Sequence, residues 1–164
     1  MSVIEDVTAY ETWLKDQCDV VKDALDEKHR RMSGDAFMFF RATCFRFAGK
    51  FGDWFGELAD APRVPSVGDA HIENFGTWRD AEGRLVWGIN DFDEAAILPW
   101  TCDLVRLATS ACLGKDLPGT KRTRVTAILE GYILGLIAPG PQFVDDERPW
   151  LQTLVLRPGE EGED

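Results

Sequence analysis

The chain has 164 residues, of which 45% are hydrophobic and 29% charged, which is enough for one compact domain with its own core. Its formal net charge of −11 argues against nucleic-acid binding, because a surface that coats nucleic acid needs clustered Lys and Arg. The N-terminus carries no apolar targeting stretch, and the longest apolar run, residues 132–138, is too short to span a bilayer. Four cysteines without a Cys-x-x-Cys spacing fit reduced thiols, so we expect a cytoplasmic protein that uses no membrane.

The N-terminal part of the chain is predicted to be helical. Apolar residues recur at helical spacing over residues 1–31 and again over residues 36–58, where phenylalanines form a stripe every three to four positions. Such a stripe predicts packing against a core. Arg41 lies off the stripe, and its guanidinium is a candidate clamp for a phosphate or a carboxylate because it can donate two parallel hydrogen bonds.

Two acidic segments flank a predicted β-hairpin within residues 64–95. The first is Gly-Asp-Ala-His-Ile-Glu-Asn at 68–74, and the second is Asn-Asp-Phe-Asp-Glu at 90–94. Between them, residues 75–78 and 85–89 are rich in aromatic and β-branched side chains and are separated by a turn-forming segment. Because a hairpin returns to its starting point, we expect the two acidic segments to lie side by side.

These segments contain the candidate site residues. Asp69 and Asn74 have the spacing by which a catalytic loop directs an aspartate at a substrate hydroxyl while its asparagine holds a metal ion. We therefore predict Asp69 as catalytic, with Asn74 and Asp91 as ligands of Mg²⁺, which prefers hard oxygen ligands. Asp93 is either a further metal ligand or an exposed acid. His71 either packs the loop through a ring hydrogen bond or contacts the substrate.

The C-terminal half is predicted to contain two more helices, over residues 101–113 and 122–137. On the second, apolar residues at positions 125, 128, 129, 132, 133 and 136 predict a buried inner face. Residues 1–138 would then form one α+β domain. Residues 139–164, punctuated by prolines and ending in an acidic run, are predicted to be irregular and partly disordered.

The acidic segments resemble the Gly-Asp-x-His-x-x-Asn and Ile-Asp-Phe-Asp motifs of the aminoglycoside phosphotransferase branch of the protein-kinase-like fold. With Arg31-Met32 and residues 37–41 and 103–110, they resemble the uncharacterised bacterial family catalogued as domain of unknown function 2252, over roughly residues 28–135. Only the first part of such proteins is matched. The resemblance implies a mainly helical kinase-like lobe with a small hairpin between catalytic and metal-binding loops, in which Asp103 is a buried brace, together with Arg106.

The resemblance further implies a phosphotransferase that uses ATP and Mg²⁺ on an unknown hydroxyl acceptor, either a small molecule or a protein. A missing C-terminal segment or a second chain is a further expected partner. The interpretation that the chain is a truncated gene product also stays open. One alternative is a non-catalytic kinase-like binding or remnant module, because helices precede Gly68 where kinases have a strand-rich lobe. A minor alternative is a metal-dependent phosphoesterase in which Asp69-Ala70-His71 is the first motif of a two-metal site. Such a site needs several more histidines, and the chain has only two.

Overall fold

A computed structural model describes residues 2–144 and 149–155 of the chain. Within them the fold is α+β, as the sequence predicts: helices predominate and two small antiparallel sheets pack among them. The helices are α1 (Val3–Gln17), α2 (Lys22–Gly34), α3 (Ala36–Ala42), α4 (Cys44–Phe55), α5 (Thr101–Leu113), α6 (Lys121–Ile137) and α7 (Pro149–Val155), with a 3-10 turn at Gly56–Asp60. The strands are β1 (Arg63–Ser66), β2 (Phe75–Arg79), β3 (Leu85–Ile89), β4 (Ala96–Pro99) and β5 (Gln142–Phe143).

The single helix predicted over residues 1–31 is two helices, α1 and α2. The break follows Cys18, whose backbone is extended (φ −155°, ψ 165°), and the Asp-Val-Val that comes next is a run of weak helix formers. Helix α1 packs on α4 through stacked rings of Tyr10 and Phe45, 4.0 Å apart, and through an Asp6–Arg46 ion pair of 2.8 Å.

The aromatic helix predicted over residues 36–58 is also divided, into α3, α4 and the 3-10 turn. The break lies at Thr43, whose backbone leaves the helical region (φ −109°, ψ 28°) and whose hydroxyl donates a hydrogen bond of 2.8 Å to the Phe39 carbonyl. Asp35 begins α3 by accepting hydrogen bonds from the amides of Phe37 and Met38. Because the last carbonyls of a helix lack partners within it, the break makes the carbonyls at the end of α3 available to another group.

The predicted aromatic stripe supplies four of the nine buried hydrophobic residues in the described part of the chain. Phe37, Phe40, Cys44 and Phe51 are buried, and Phe47 and Phe55 are half-buried beside them. Its last predicted member, Leu58, is 43% exposed because the helix has already given way to the 3-10 turn there.

The two sheets bring the acidic segments together. Strands β1 and β4 pair antiparallel, with Ser66 opposite Ala96, so the chain leaves this sheet at residue 67 and returns to it at residue 95. Between these points β2 and β3 form the predicted hairpin, with Phe75 opposite Ile89. The turn is held by Asp80, whose carboxylate accepts hydrogen bonds from the amides of Glu82 and Arg84.

The C-terminal half agrees with the predicted helices but not with an irregular tail from residue 139. Strand β5 adds to β3, where the Phe143 ring lies under the Arg84 guanidinium at 4.4 Å. Helix α7 inserts Leu151, which is fully buried. These apolar anchors explain why part of the predicted tail is ordered, and the acidic run at residues 159–164 lies outside the described residues.

Helix α6 buries less of its apolar face than its periodicity predicts. Tyr132 stacks on Trp100 at 5.6 Å, and Val125 and Ile128 are half-buried. Leu129, Ile133 and Leu136 are 46%, 55% and 64% exposed. In the described part of the chain, no helix is both long enough and apolar enough to cross a membrane.

Candidate functional site

One face of α5 holds the first acidic segment in place. Asp103, Arg106 and Ser110 are three and four residues apart, so they lie on the same side of the helix. The Asp103 carboxylate accepts hydrogen bonds from the amides of Val67 (2.7 Å) and Gly68 (3.0 Å). The Ser110 hydroxyl accepts one from the Ile72 amide at 3.1 Å. The loop backbone is therefore fixed at both ends by a rigid element.

Arg106 connects this loop to the end of α3. Its side chain is 1% exposed, and its Nε and Nη2 both donate to the Oδ1 atom of Asp69, at 2.7 and 2.5 Å. Nη2 also donates to the Phe40 carbonyl at 2.9 Å, one of the carbonyls made available by the break at Thr43. The guanidinium lies over the Phe40 ring at 4.0 Å. A buried cation thus fixes one oxygen of the predicted catalytic carboxylate.

Asn74 joins the two acidic segments. Its side chain is buried, with 2% of the residue exposed, and its Nδ2 donates to the carbonyls of Asp69 (3.1 Å) and Asp91 (3.2 Å). Its Oδ1 accepts a hydrogen bond of 3.0 Å from the Asp91 amide. The amide of Asn74 therefore contacts the backbone on both sides, and the expectation that it ligates a metal directly stays a prediction.

Two glycines permit this close approach. Gly68 has φ +87°, and a Cβ at this position would overlap the Glu94 carbonyl. Gly76 begins the hairpin, and a Cβ there would overlap the side-chain amide of Asn90. At Gly68 the overlapping atoms belong to the backbone and φ is positive, so glycine is required there by contact and by conformation. At Gly76 the overlapping atom is the end of the exposed Asn90 side chain, which can rotate away, so the requirement is weaker.

The second acidic segment presents its carboxylates to solvent. Asp91 and Asp93 are both exposed, and the Asp91 Oδ1 atom accepts a hydrogen bond of 3.3 Å from the Asp93 amide. No group of three or more His, Cys, Asp or Glu side chains within residues 2–144 and 149–155 is arranged to hold a metal ion. The donor chemistry nevertheless fits Mg²⁺, which commonly takes one or two protein carboxylates and completes its shell with water and substrate oxygens.

His71 and Arg41 face the other oxygen of Asp69. His71 is 1% exposed, and its Nε2 lies 3.8 Å from the Asp69 Oδ2 atom. Arg41 Nε lies 3.9 Å from the same atom, and Arg41 Nη1 lies 3.7 Å from the Glu73 carboxylate. Burial, and next the nearby Arg41 charge, lower the pKa of His71 below its ordinary value, so the neutral ring is favoured.

The structure thus gathers Asp69, His71, Arg41 and Asn74 at one place, with Arg106 and Asp103 beneath them on α5. Asp91 joins them through its backbone, whereas the exposed carboxylates of Asp91 and Asp93 belong to the outer edge of the site.

Sequence reasoning missed two residues that hold the loop. The first is Ser110, which its position seven residues after Asp103 would have placed on the same helix face. The other is Cys44, whose thiol donates to the Gly68 carbonyl at 3.4 Å and whose pKa burial raises to about 12. No sequence signal separates this thiol from an ordinary core cysteine.

These features define a class: an α+β protein in which one helix face supports a pair of acidic segments joined by a buried asparagine. The chain belongs to the family described as "Uncharacterized protein conserved in bacteria (DUF2252)", whose model matches residues 20–134. This assignment agrees with the resemblance given by the sequence motifs. Neither the curated proteins nor the solved structures contain a match to the chain.

Proposed function

We propose that the protein is a phosphotransferase of kinase-like fold, in which Asp69 orients a hydroxyl acceptor and accepts its proton while ATP donates the phosphoryl group. The observation that carries this proposal is the joining of the two acidic segments by Asn74. It holds Asp69 next to the Asp91 segment although 22 positions separate the two along the chain, and this is the arrangement that the spacing of the motifs predicts.

The surroundings of Asp69 suit a general base. Its side chain is 17% exposed, so it is reachable but largely desolvated, and the Arg106 pair compensates its charge through Oδ1. Oδ2 accepts no hydrogen bond from the described residues and is the oxygen on which a proton would be received. Fixing a carboxylate in advance contributes to catalysis because the protein need not reorganise as the proton moves.

Mg²⁺ would be held by the exposed carboxylates of Asp91 and Asp93, and when bound it would offset negative charge on the phosphates. In this proposal Asn74 acts mainly by positioning Asp91, because its amide already bonds the backbone of both segments. The Gly68 contact with the Glu94 backbone contributes by keeping the two segments at this separation.

One observation favours a second function, a non-catalytic kinase-like binding module. Residues 2–62 form helices α1 to α4 and a 3-10 turn and contain no strand. A Gly-rich loop between two strands, which covers the nucleotide phosphates in kinases, is therefore not found in these residues. Nucleotide contacts would then have to come from another segment or a second chain. The two hydrogen bonds from Arg106 to Asp69 are equally compatible with a purely structural role for the loop that contains Asp69.

Calorimetric titration with Mg·ATP, together with a phosphoryl-transfer assay over a panel of alcohols, separates the two functions. The catalytic proposal expects transfer that Asp69→Asn removes and that Asp53→Asn retains, since Asp53 is an exposed acid on the surface of α4. If the wild type, Asp69→Asn and Asp53→Asn all bind ATP and none transfers phosphate, the binding module is favoured. Absence of both binding and transfer would refute the catalytic proposal for this chain.

A further inference from the structure

Two buried polar atoms beside Asp69 have no hydrogen-bond partner. Among the described residues, Arg41 Nε and His71 Nε2 are the buried side-chain nitrogens in this condition. Both lie near the Asp69 Oδ2 atom, at 3.9 and 3.8 Å, which is too far for a direct hydrogen bond. Because buried polar groups in proteins are nearly always hydrogen-bonded, two unpaired nitrogens at one point indicate a bound group.

The hydrogen-bond character of each atom is defined. The Nδ1 atom of His71 accepts a hydrogen bond from the Glu73 amide at 3.2 Å, so in the neutral ring the proton lies on Nε2. Arg41 Nε is always a donor. The site therefore offers two donors and one carboxylate acceptor, which is the pattern complementary to a hydroxyl: its oxygen accepts twice and its hydrogen is donated once.

We propose that Arg41 Nε, His71 Nε2 and Asp69 Oδ2 together bind the hydroxyl group of a neutral alcohol. Each gap is shorter than two hydrogen bonds in line, so an oxygen offset from the line between Asp69 Oδ2 and either nitrogen can lie about 2.8 Å from both atoms of that pair. Both nitrogens are buried, so a hydroxyl that bonds both needs a small side-chain shift of Arg41. In the resting protein the same position suits a water molecule, which a substrate hydroxyl would displace.

The local charges select a neutral ligand. Arg41 and Arg106 supply two positive charges, Asp69 and Glu73 supply two negative charges, and His71 is neutral. A phosphate oxygen would meet the Asp69 carboxylate, and a divalent cation would meet two guanidinium groups. The charge of a phosphate or of a divalent cation would therefore not be compensated at this point. A hydroxyl carries no charge and needs only hydrogen-bond partners.

Arg41, Asp69 and His71 do not line a cavity of about 610 Å³, but their neighbours do, and in this proposal that cavity would take the carbon frame of the alcohol. It is lined in part by Phe37, Ile72 and Glu73, and the Phe37 ring meets the His71 ring edge-on at 5.8 Å. Its surface is mainly apolar, so we expect an alcohol with an apolar body to bind better than a fully hydrated polyol.

That the bound alcohol serves as the phosphoryl acceptor rests on the proposed function. Binding of an alcohol at this site does not depend on it. The chain has two histidines, so ¹⁵N-imidazole labelling yields one reporter in the site, His71, and an internal reference in His29, whose side chain is 44% exposed. Benzyl alcohol, glucose and glycerol would each be titrated without nucleotide, with toluene as the matched compound that lacks the hydroxyl. Inorganic phosphate and Mg²⁺ would be titrated separately.

We expect benzyl alcohol to shift the His71 Nε2 resonance saturably and by more than toluene does, while His29 stays constant. Asp69→Asn should raise the apparent Kd by about tenfold or more, as loss of a hydrogen bond to a charged group would do. Asp91→Asn should leave it unchanged, which separates this site from the proposed metal site.

Three results would overturn the inference: a His71 shift with inorganic phosphate instead of the alcohols, a shift with toluene equal to that with benzyl alcohol, or no saturable His71 shift with any of the alcohols. Alcohol binding without any phosphoryl transfer would retain the site and refute only the proposed function.

Discussion

Arg106 donates two hydrogen bonds to a single carboxylate oxygen of Asp69, from Nε at 2.7 Å and from Nη2 at 2.5 Å. The pairing leaves the second oxygen of Asp69 facing Arg41 and His71. Because Arg106 also bonds the Phe40 carbonyl, the orientation of Asp69 depends on where α3 ends. The site and the core are therefore coupled through one buried guanidinium.

Replacing Arg106 should be strongly destabilising. Arg106→Met removes the cation from a buried pair and leaves Asp69 without its partner, which typically costs about 3 to 5 kcal/mol. Arg106→Lys should recover little of this loss, because an ammonium cannot reproduce the two bonds from one planar group. Denaturant unfolding measures both, and Arg30→Met is the control, since Arg30 is in an exposed pair. Equal losses in Arg106→Met and Arg30→Met would contradict the coupling.

Asp103 should be more important for stability than Asp93. Asp103→Ala leaves the amides of Val67 and Gly68 without an acceptor, with an expected cost of about 1 to 3 kcal/mol. Asp93→Ala, at an exposed position, should change the free energy of unfolding by less than about 0.5 kcal/mol. Thermal and denaturant melts compare the two. If Asp103→Ala unfolds like wild type, the bracing role is wrong.

Gly68 and Gly83 form a matched pair of glycines with positive φ, at +87° and +79°. Gly83→Ala should cost about 1 to 2 kcal/mol, because its Cβ meets no atom within 4 Å and only the backbone conformation is strained. Gly68→Ala should cost more, since its Cβ also overlaps the Glu94 carbonyl. Equal melting temperatures for the two variants would show that the acidic segments are not in close contact.

Stability should depend on the protonation of His71. Its folded pKa is lowered by burial and by Arg41 and Arg106, which outweigh the opposite effect of Asp69 and Glu73. The unfolded state then binds more protons than the folded state, so this contribution to stability is present above the ordinary pKa of about 6.5 and is lost as pH falls towards the folded pKa.

His71→Gln should therefore reduce the loss of unfolding free energy between pH 7.5 and 5.5. The difference cannot exceed about 1.4 kcal/mol per pH unit for one group. Chemical denaturation at the two pH values measures it. An unchanged pH dependence in His71→Gln would mean that the buried ring does not resist protonation.

A Mg²⁺ site formed by Asp91 and Asp93 should stabilise the folded chain. Free Mg²⁺ at about 100 times its Kd would add about 2.7 kcal/mol and raise the melting temperature. Asp91→Asn should abolish this rise, and Asp53→Asn should keep it. An equal response to Mg²⁺ in wild type and Asp91→Asn would remove Asp91 from the metal site.

The sequence by itself determined the features that depend on local pattern. Helical periodicity predicted α5 and α6, and alternation of β-branched and aromatic residues around a turn predicted the hairpin. Because a hairpin must return to its origin, the proximity of Asp69, Asn74 and Asp91 followed from the same reasoning. The position of Asp103 beneath Gly68 was implied by the family resemblance and agrees with the structure.

Only the tertiary structure decided the features that depend on contacts between distant residues. The aromatic helix breaks at Thr43, and Arg106 uses the Phe40 carbonyl that this break makes available. Helical periodicity could not show that Leu129 remains exposed, because periodicity marks an apolar face without saying what covers it. Likewise, the spacing of Asp69 and His71 did not reveal that the Nε2 atom of His71 is buried without a partner 3.8 Å from the Asp69 carboxylate. This arrangement depends on how the folded core orients both side chains.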